Sequence, residues 1–163
     1  MEQIYRINIK SQKLFEKYPS IWTDEYKGKL FEISCQEGSV HSGDIDITRW
    51  WALDIADHLC FEPHNTEVLL HNGPFQYQRS ADDNNTVEWH LNFADGDLFS
   101  HYRSKLMAQD EHQVAEHPIL ASVKEVLEEL ATENSDYEPC TSDYTNLSPN
   151  PPTPILVMEQ NDD

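Results

Sequence analysis

The sequence predicts an α/β fold built around one globular body. Three observations predict this class: helical spacing of apolar residues at 118–131, strict alternation of apolar and polar residues at 87–93, and 38% hydrophobic residues in a chain of 163. A chain of this size and composition can bury one ordinary core. We therefore assign residues 1–132 to a single α/β domain, residues 133–154 to an acidic Pro-rich linker, and residues 155–163 to a short strand and tail.

Two elements are predicted in the first half of the chain. The segment KLFEIS, residues 29–34, alternates enough to predict a short strand. A helix is predicted over residues 47–60, because apolar side chains there recur every four positions, at Trp51, Ile55 and Leu59.

From residue 66 onward the chain is predicted to hold more strands and one helix. The segment TEVLLH, residues 66–71, has the composition of a buried strand, and VEWHLNF, residues 87–93, alternates with the period of two that one buried sheet face requires. Pro118 can open a helix at its first turn, and apolar residues continue at helical spacing through residue 131. A final strand is predicted over residues 155–158, where it completes a sheet.

The charge of the chain is strongly acidic. Eleven basic residues against thirty acidic ones give a formal net charge of -19. This charge repels phosphate backbones and anionic lipid surfaces, so direct nucleic-acid binding by a basic face is excluded as a function class. Lys124 is the last basic residue, and the C-terminal end of the chain is its most acidic part.

Cysteine and histidine spacing argues against disulfide and metal sites. The three cysteines are widely spaced and odd in number, without any CxxC pair: Cys35, Cys60 and Cys140. Two histidine-containing groups, His58 with Cys60 and His64, and His112 with His117, lack the spacing of a structural zinc site. No apolar run approaches the roughly 20 residues of a membrane span. We therefore expect a cytoplasmic protein with no metal, no cofactor and no membrane contact.

The segment that carries chemistry lies between residues 92 and 120. The predicted strand ends in Phe93-Ala94-Asp95, Gln109-Asp110-Glu111 stands fourteen residues beyond Asp95, and His117-Pro118-Ile119-Leu120 follows. In order and spacing these residues resemble the signature segment of poly(ADP-ribose) glycohydrolases, which build on the macrodomain fold. The bland alternative for the acidic triplet is the first turn of an ordinary helix, which favours negative charge.

The resemblance implies both a fold and an active site. It implies a macrodomain-like body of three layers of sheet and helix, complete or partial, with Glu111 as the acid that protonates the departing ribose oxygen. Asp110 would contact the ribose hydroxyls, while Gln109 and Asp95 would orient ligand or backbone. A carboxyl in the role of Glu111 needs a raised pKa, which burial beside Asp110 would favour.

One part of the family pattern is missing. Glycine-rich loops let backbone amides approach a diphosphate closely, yet the matching residues 99–105 are Phe-Ser-His-Tyr-Arg-Ser-Lys. We expect His101, Arg103 and Lys105 to bind phosphate by side-chain charge instead. The bland alternative is ordinary solvated charge on a loop.

These residues lead to one main functional hypothesis and two alternatives. The first is an ADP-ribose-directed, glycohydrolase-like protein, either active or a degenerate binder, whose partner is ADP-ribose or an ADP-ribosylated protein. An alternative is a non-enzymatic interaction protein whose acidic surface and Pro-rich tail engage a basic partner or imitate nucleic acid. A third is a truncated pseudo-domain that binds no ligand, and a partner protein or a second subunit would complete its fold.

Overall fold

The structure, a computed structural model, describes residues 3–35, 42–51, 70, 89–133 and 155–160. The chain divides into two compact units, one formed by Met1–Leu53 with Asn92–Asp163 and the other by Asp54–Leu91. All described helices and strands belong to the first unit. In the second unit the described residues are Leu70 and residues 89–91, which have no regular secondary structure.

In the described part of the chain, three strands form one antiparallel sheet in the order β1-β2-β3. They are β1 (Gln3–Lys10), β2 (Asp44–Trp50) and β3 (Ile155–Gln160). Along the row that faces the core, Ile7 of β1 lies opposite Ile47, and Ile47 lies opposite Val157 of β3. β2 therefore joins the beginning of the chain to its far end.

The opposite face of β2 holds a buried charge. Asp46 is fully buried, and its carboxylate accepts two hydrogen bonds from the Arg6 guanidinium, at 3.1 and 2.8 Å, and one from the Asn8 amide at 3.0 Å. These donors, chiefly Arg6, hold the pKa of Asp46 below its usual value, although burial opposes them. Both donors lie on β1, so this carboxylate helps to fix how β1 and β2 pair.

Four helices of the described chain pack with this sheet around one core. They are α1 (Ser11–Lys17), α2 (Glu25–Ser34), α3 (Gln109–Glu116) and α4 (Leu120–Glu133). The buried apolar side chains come from α1, β2, residues 98–102 and the stretch from α3 through α4, and include Leu14, Ile45, Ile47, Leu98, Phe99, Tyr102, Val114, Ile119, Val123 and Leu127. None of the described helices is long and apolar enough to cross a membrane.

Several sequence predictions are confirmed. The described chain mixes helices with a sheet, as the α/β prediction required. The helix predicted from Pro118 onward is α4, which begins at Leu120 and buries Val123 and Leu127. The predicted C-terminal strand is β3, which does complete a sheet. β1 and α1 had no counterpart among the predicted elements, and α3 was foreseen only as the bland alternative for the acidic triplet.

The strand predicted over residues 29–34 is wrong, because this segment lies in helix α2. The carboxylate of Asp24 accepts hydrogen bonds from the backbone N–H groups of Tyr26 and Lys27, both at 3.1 Å, and so caps the helix. An ion pair at 2.5 Å between Lys29 and Glu25, one turn apart, adds to the helix. Six residues of weak alternation did not outweigh these local helix signals.

The helix predicted over residues 47–60 is wrong at its start, since residues 47–50 belong to β2. Residues 47–50 form a strand because β2 pairs with a strand on each side and buries Ile45 and Ile47 in the core. Residues 52–60, like the strand predicted over 66–71 apart from Leu70, lie outside the described residues. The linker predicted over 133–154 lies outside them as well, apart from Glu133, which ends α4.

The strand predicted over residues 87–93 is also wrong in its described part. Residues 89–93 have no regular secondary structure, and the apolar side chains Trp89, Leu91 and Phe93 are 61%, 77% and 75% exposed. Alternation alone does not make a strand, because a strand needs a neighbour for its backbone hydrogen bonds. Residues 87 and 88 lie outside the described residues.

Replacing Ile47 by alanine tests the central position of β2. We expect Ile47→Ala to lower the free energy of unfolding by about 3 kcal/mol, because it removes a fully buried side chain and leaves a cavity. The matched control is Ile33→Ala in α2, where the side chain is 73% exposed and the change should stay within about 0.5 kcal/mol. Equal effects of the two variants in urea unfolding would contradict the fold.

Candidate functional site

The candidate site begins where helix α3 starts. Ala108 precedes the helix in an extended conformation and offers no side-chain acceptor to the free N–H groups of the first turn. Glu111, three residues later, reaches back instead, and its Oε2 accepts the backbone N–H of Ala108 at 2.8 Å. This is the acidic half of a capping box. It fixes the Glu111 carboxyl at the N-terminal end of α3.

Asp110 and Glu111 form a buried carboxyl pair. Only 5% of Asp110 and 2% of Glu111 is exposed. Burial raises the pKa of Glu111 above its ordinary value, and a hydrogen bond to the Asp110 side chain and the charge of Asp110 raise it further. The backbone N–H groups of Ala108 and Glu111 act in the opposite direction. The result is a carboxyl that holds its proton at a higher pH than an exposed glutamate does.

A buried lysine that no sequence pattern predicted binds the backbone of residues 101 and 102. Lys27 of α2 is fully buried, and its Nζ donates to the backbone carbonyls of His101 at 3.0 Å and Tyr102 at 3.2 Å. Burial lowers the pKa of Lys27, while the charges of Glu111, Asp24 and Asp110 act to raise it. No local pattern marks Lys27, because its hydrogen-bond partners lie more than 70 residues later in the chain.

The segment of residues 96–105, which carries His101, Arg103 and Lys105, is a series of tight turns. Three backbone N–H groups in it donate to carbonyls three residues earlier: Ser100 to Asp97, Tyr102 to Phe99 and Ser104 to His101, at 3.1, 3.2 and 2.9 Å. Amides used in this way are not available to a diphosphate. Phosphate binding at this segment would therefore depend on side chains.

Phe99 keeps a glycine-like backbone within this segment. Its φ is +54°, a left-handed conformation that bulky residues adopt at a cost of about 1–2 kcal/mol. Its ring is 97% buried in the core, which offsets the strain. The left-handed backbone of Phe99 thus destabilises the fold, while the burial of its side chain stabilises it.

The basic side chains of the segment have different surroundings. Arg103 pairs with Glu125 and, at 3.1 Å, with Glu128 of α4. His101 is 47% exposed and its Nε2 lies 3.3 Å from a carboxylate oxygen of Asp95. Lys105 is exposed at the end of the segment. Lys105 and His101 can thus reach a solvent-borne anion, whereas Arg103 already contacts two carboxylates.

Two further predicted residues make backbone contacts. Asp95 accepts the N–H of Gly96 at 2.5 Å through Oδ1. Gln109 accepts the N–H of Phe93 at 3.0 Å, and its amide group donates to Gln113 at 3.3 Å. Gln109 therefore ties the approaching chain to the first turn of α3, next to the buried pair.

Within the described residues no group of three or more His, Cys, Asp and Glu side chains is arranged to hold a metal ion. His58, Cys60 and His64 lie outside these residues. His117 lies 3.4 Å from Glu159 of β3, at the end of α3. His117 thus lies next to β3, a contact that the sequence alone does not predict.

The raised pKa of Glu111 predicts how stability responds to pH. A carboxyl whose pKa is raised on folding stabilises the fold below its ordinary pKa, and this contribution is lost as the pH rises through the folded-state value. Glu111→Gln keeps the shape but carries no charge, so it should gain stability relative to the wild type as the pH rises above the ordinary pKa of a glutamate. Each unit of raised pKa corresponds to about 1.4 kcal/mol.

The control for this measurement is Glu32→Gln, which changes an exposed carboxylate of α2. Its stability should follow the wild type at each pH in urea unfolding. Parallel curves for Glu111→Gln and the wild type would contradict a buried, proton-holding Glu111.

Comparison with known proteins gives no relative to which this site can be referred. No protein-family model matches the chain. Searches of curated proteins and of solved structures likewise find no match.

Proposed function

We propose that this protein is an ADP-ribose-directed, glycohydrolase-like protein whose reaction centre is the carboxyl pair Asp110 and Glu111. The observation that carries the proposal is the burial of both carboxyls at the first turn of α3, with the pKa of Glu111 raised. These are the positions at which the sequence resembles the catalytic segment of poly(ADP-ribose) glycohydrolases. A solvated first turn of a helix would instead leave both carboxylates exposed.

The proposed chemistry follows from the protonated carboxyl. Glu111 donates its proton to the departing ribose oxygen as the bond from that oxygen to the anomeric carbon breaks. A water then attacks the anomeric carbon, and its proton returns to the Glu111 carboxylate. Since Oε2 of Glu111 accepts the Ala108 N–H, we assign the transferred proton to Oε1. Asp110 would accept hydrogen bonds from the ribose hydroxyls.

The phosphates would be bound by residues 96–105. The left-handed backbone of Phe99 supports a relation to a glycine-rich loop, because glycine is the residue that adopts this conformation without strain. His101 and Lys105 would contact phosphate directly, whereas Arg103 would act through its ion pairs with α4. Asp95 would position His101, and Gln109 would position the backbone that enters the site.

The fold has a defined place in this proposal. The three-stranded sheet and the helices around it would form part of a three-layer, macrodomain-like body.

Glu111 is only 2% exposed, so turnover requires neighbouring groups to shift, whereas a degenerate binder would leave them in place. Binding and turnover must therefore be measured separately.

A second candidate function is that of an acidic interaction protein. It is favoured by the apolar side chains Trp89, Leu91 and Phe93, which are more than half exposed in a chain with a net charge of -19. Several exposed apolar side chains within a short segment are typical of protein contact sites.

Titration calorimetry with ADP-ribose tests ligand binding. We expect saturable binding by the wild type, and Kd about five- to tenfold weaker for Lys105→Ala, because one exposed cation is lost. Lys13→Ala, which removes another exposed lysine, should bind like the wild type. Arg103→Ala should lower the stability of the fold as well as the affinity, because it leaves Glu125 and Glu128 without this partner.

Hydrolysis of an ADP-ribosylated protein tests turnover. Glu111→Gln should slow release of ADP-ribose by a factor of about 100 or more while ADP-ribose binding persists, because only the proton donor is removed. Binding without release by the wild type would select the degenerate binder. The absence of any heat from folded wild-type protein would overturn the proposal and favour the interaction protein.

A further inference from the structure

Helix α2 carries apolar side chains on the face that points away from the core. Tyr26, Leu30 and Ile33 stand at i, i+4 and i+7, so they lie in one row along the helix. Tyr26 is 79% exposed and Ile33 is 73% exposed, while Leu30 is half-buried at the edge of the row. We call these three side chains the outer row of α2. A surface helix normally has polar side chains on this face, so packing in the core does not account for the outer row.

The opposite face of α2 attaches the helix to the rest of the first unit. Lys27 donates to the backbone carbonyls of His101 and Tyr102, at 3.0 and 3.2 Å. The ring of Phe31 packs on Trp22 with ring centroids 5.1 Å apart, and Trp22 packs edge-on against Tyr102 at 5.3 Å. The helix is thus positioned through its inner face, and its outer row is presented to solvent.

Charged side chains run beside the outer row. Glu25, Lys29 and Glu32 are exposed, and each directly precedes one member of the row in the chain. Lys29 forms an ion pair with Glu25 at 2.5 Å, so these two charges offset each other and the charge of Glu32 is left in excess. The whole chain has a net charge of -19. A partner for the outer row is therefore expected to carry positive charge at the edge of its own apolar surface.

The spacing of the outer row indicates the shape of such a partner. Apolar residues at i, i+4 and i+7 are the anchors with which helices pack on one another and bind to partners. Tyrosine suits such a contact, because it buries a large area while losing few side-chain conformations. A second copy of this chain is a poor occupant, since each copy would bring its own charge of -19. A helix with one apolar face and basic side chains along its edges fits both the row and its charge.

We propose that the outer row of α2 docks a cationic amphipathic helix of another protein. The apolar face of that helix would pack on Tyr26, Leu30 and Ile33, and its lysine or arginine side chains would face Glu25 and Glu32. This docking surface goes beyond the proposed ADP-ribose site and uses none of its residues. It stands whether or not the chain binds ADP-ribose.

An NMR titration of the intact wild-type chain is the first test. The probe is a synthetic peptide of leucine and lysine whose leucines lie on one face of its helix. Side-chain signals of Tyr26 and Ile33 should shift saturably as peptide is added, whereas those of Phe93, which is also exposed, should not. This measurement needs no variant of the protein. Signals of Tyr26 and Ile33 that stay in place would overturn the proposal.

Titration calorimetry with the same peptide measures what the outer row contributes. The double variant Tyr26→Ser with Ile33→Ser should weaken Kd at least tenfold, because two apolar anchors are lost. Both side chains are exposed, so its midpoint in urea unfolding should match that of the wild type. The matched control is Phe93→Ser, which removes another exposed apolar side chain and should bind the peptide like the wild type. Weaker binding by Phe93→Ser and unchanged binding by the double variant would overturn the proposal.

Two further measurements separate the sources of binding. A control peptide in which serine replaces every leucine keeps the lysines, and it should bind at least tenfold more weakly than the probe. Equal binding by the two peptides would show charge attraction alone and overturn the proposal. Without peptide, the wild type and the double variant should sediment alike. A dimer that only the wild type forms would identify a second copy as the occupant, and would overturn the proposal as well.

Discussion

The structure depends on the double pairing of β2. Both edges of this strand are hydrogen-bonded, to β1 from the start of the chain and to β3 from near its end. Both of its faces are buried too, since Ile47 enters the core and Asp46 lies beneath donors from β1 on the other side. Because an unpaired buried carboxylate is very costly, the register of β1 is fixed by Asp46 as well as by apolar packing. The core on which α3 and α4 rest follows from this sheet.

The acidic character of the chain acts inside the site as well as on its surface. Helix α4 contributes Glu125 and Glu128, which engage Arg103, and Lys124, which is nearly buried and binds Asp97 at 3.0 Å. These pairs hold the segment 96–105 on α4 by side-chain charge. A glycine-rich loop would use its backbone for a ligand, whereas this segment uses its backbone for its own turns and Arg103 for attachment to α4. His101 and Lys105 remain for a phosphate.

Sequence patterns predicted elements correctly where apolar residues recur along a long helix or stand together in a short strand. α4 was predicted because its apolar residues recur along 14 positions, and β3 because four apolar residues stand between polar segments. Shorter patterns failed: the six residues at 29–34 obeyed the cap at Asp24, and those at 47–50 obeyed their strand partners. At 89–93 the alternation is present, but no strand of the described residues pairs with this segment, and pairing is a property of the whole fold.

The sequence by itself offered Asp110 and Glu111 either as a catalytic pair or as the first turn of a helix, where acidic residues suit the positive end of the helix dipole. It also determined that residues 99–105 are mostly bulky, at positions where the resemblance would imply glycines. Only the tertiary structure decided that both carboxyls are buried and that the buried Lys27 binds the carbonyls of His101 and Tyr102. Both depend on contacts between parts of the chain that are far apart in sequence and meet only when the core forms.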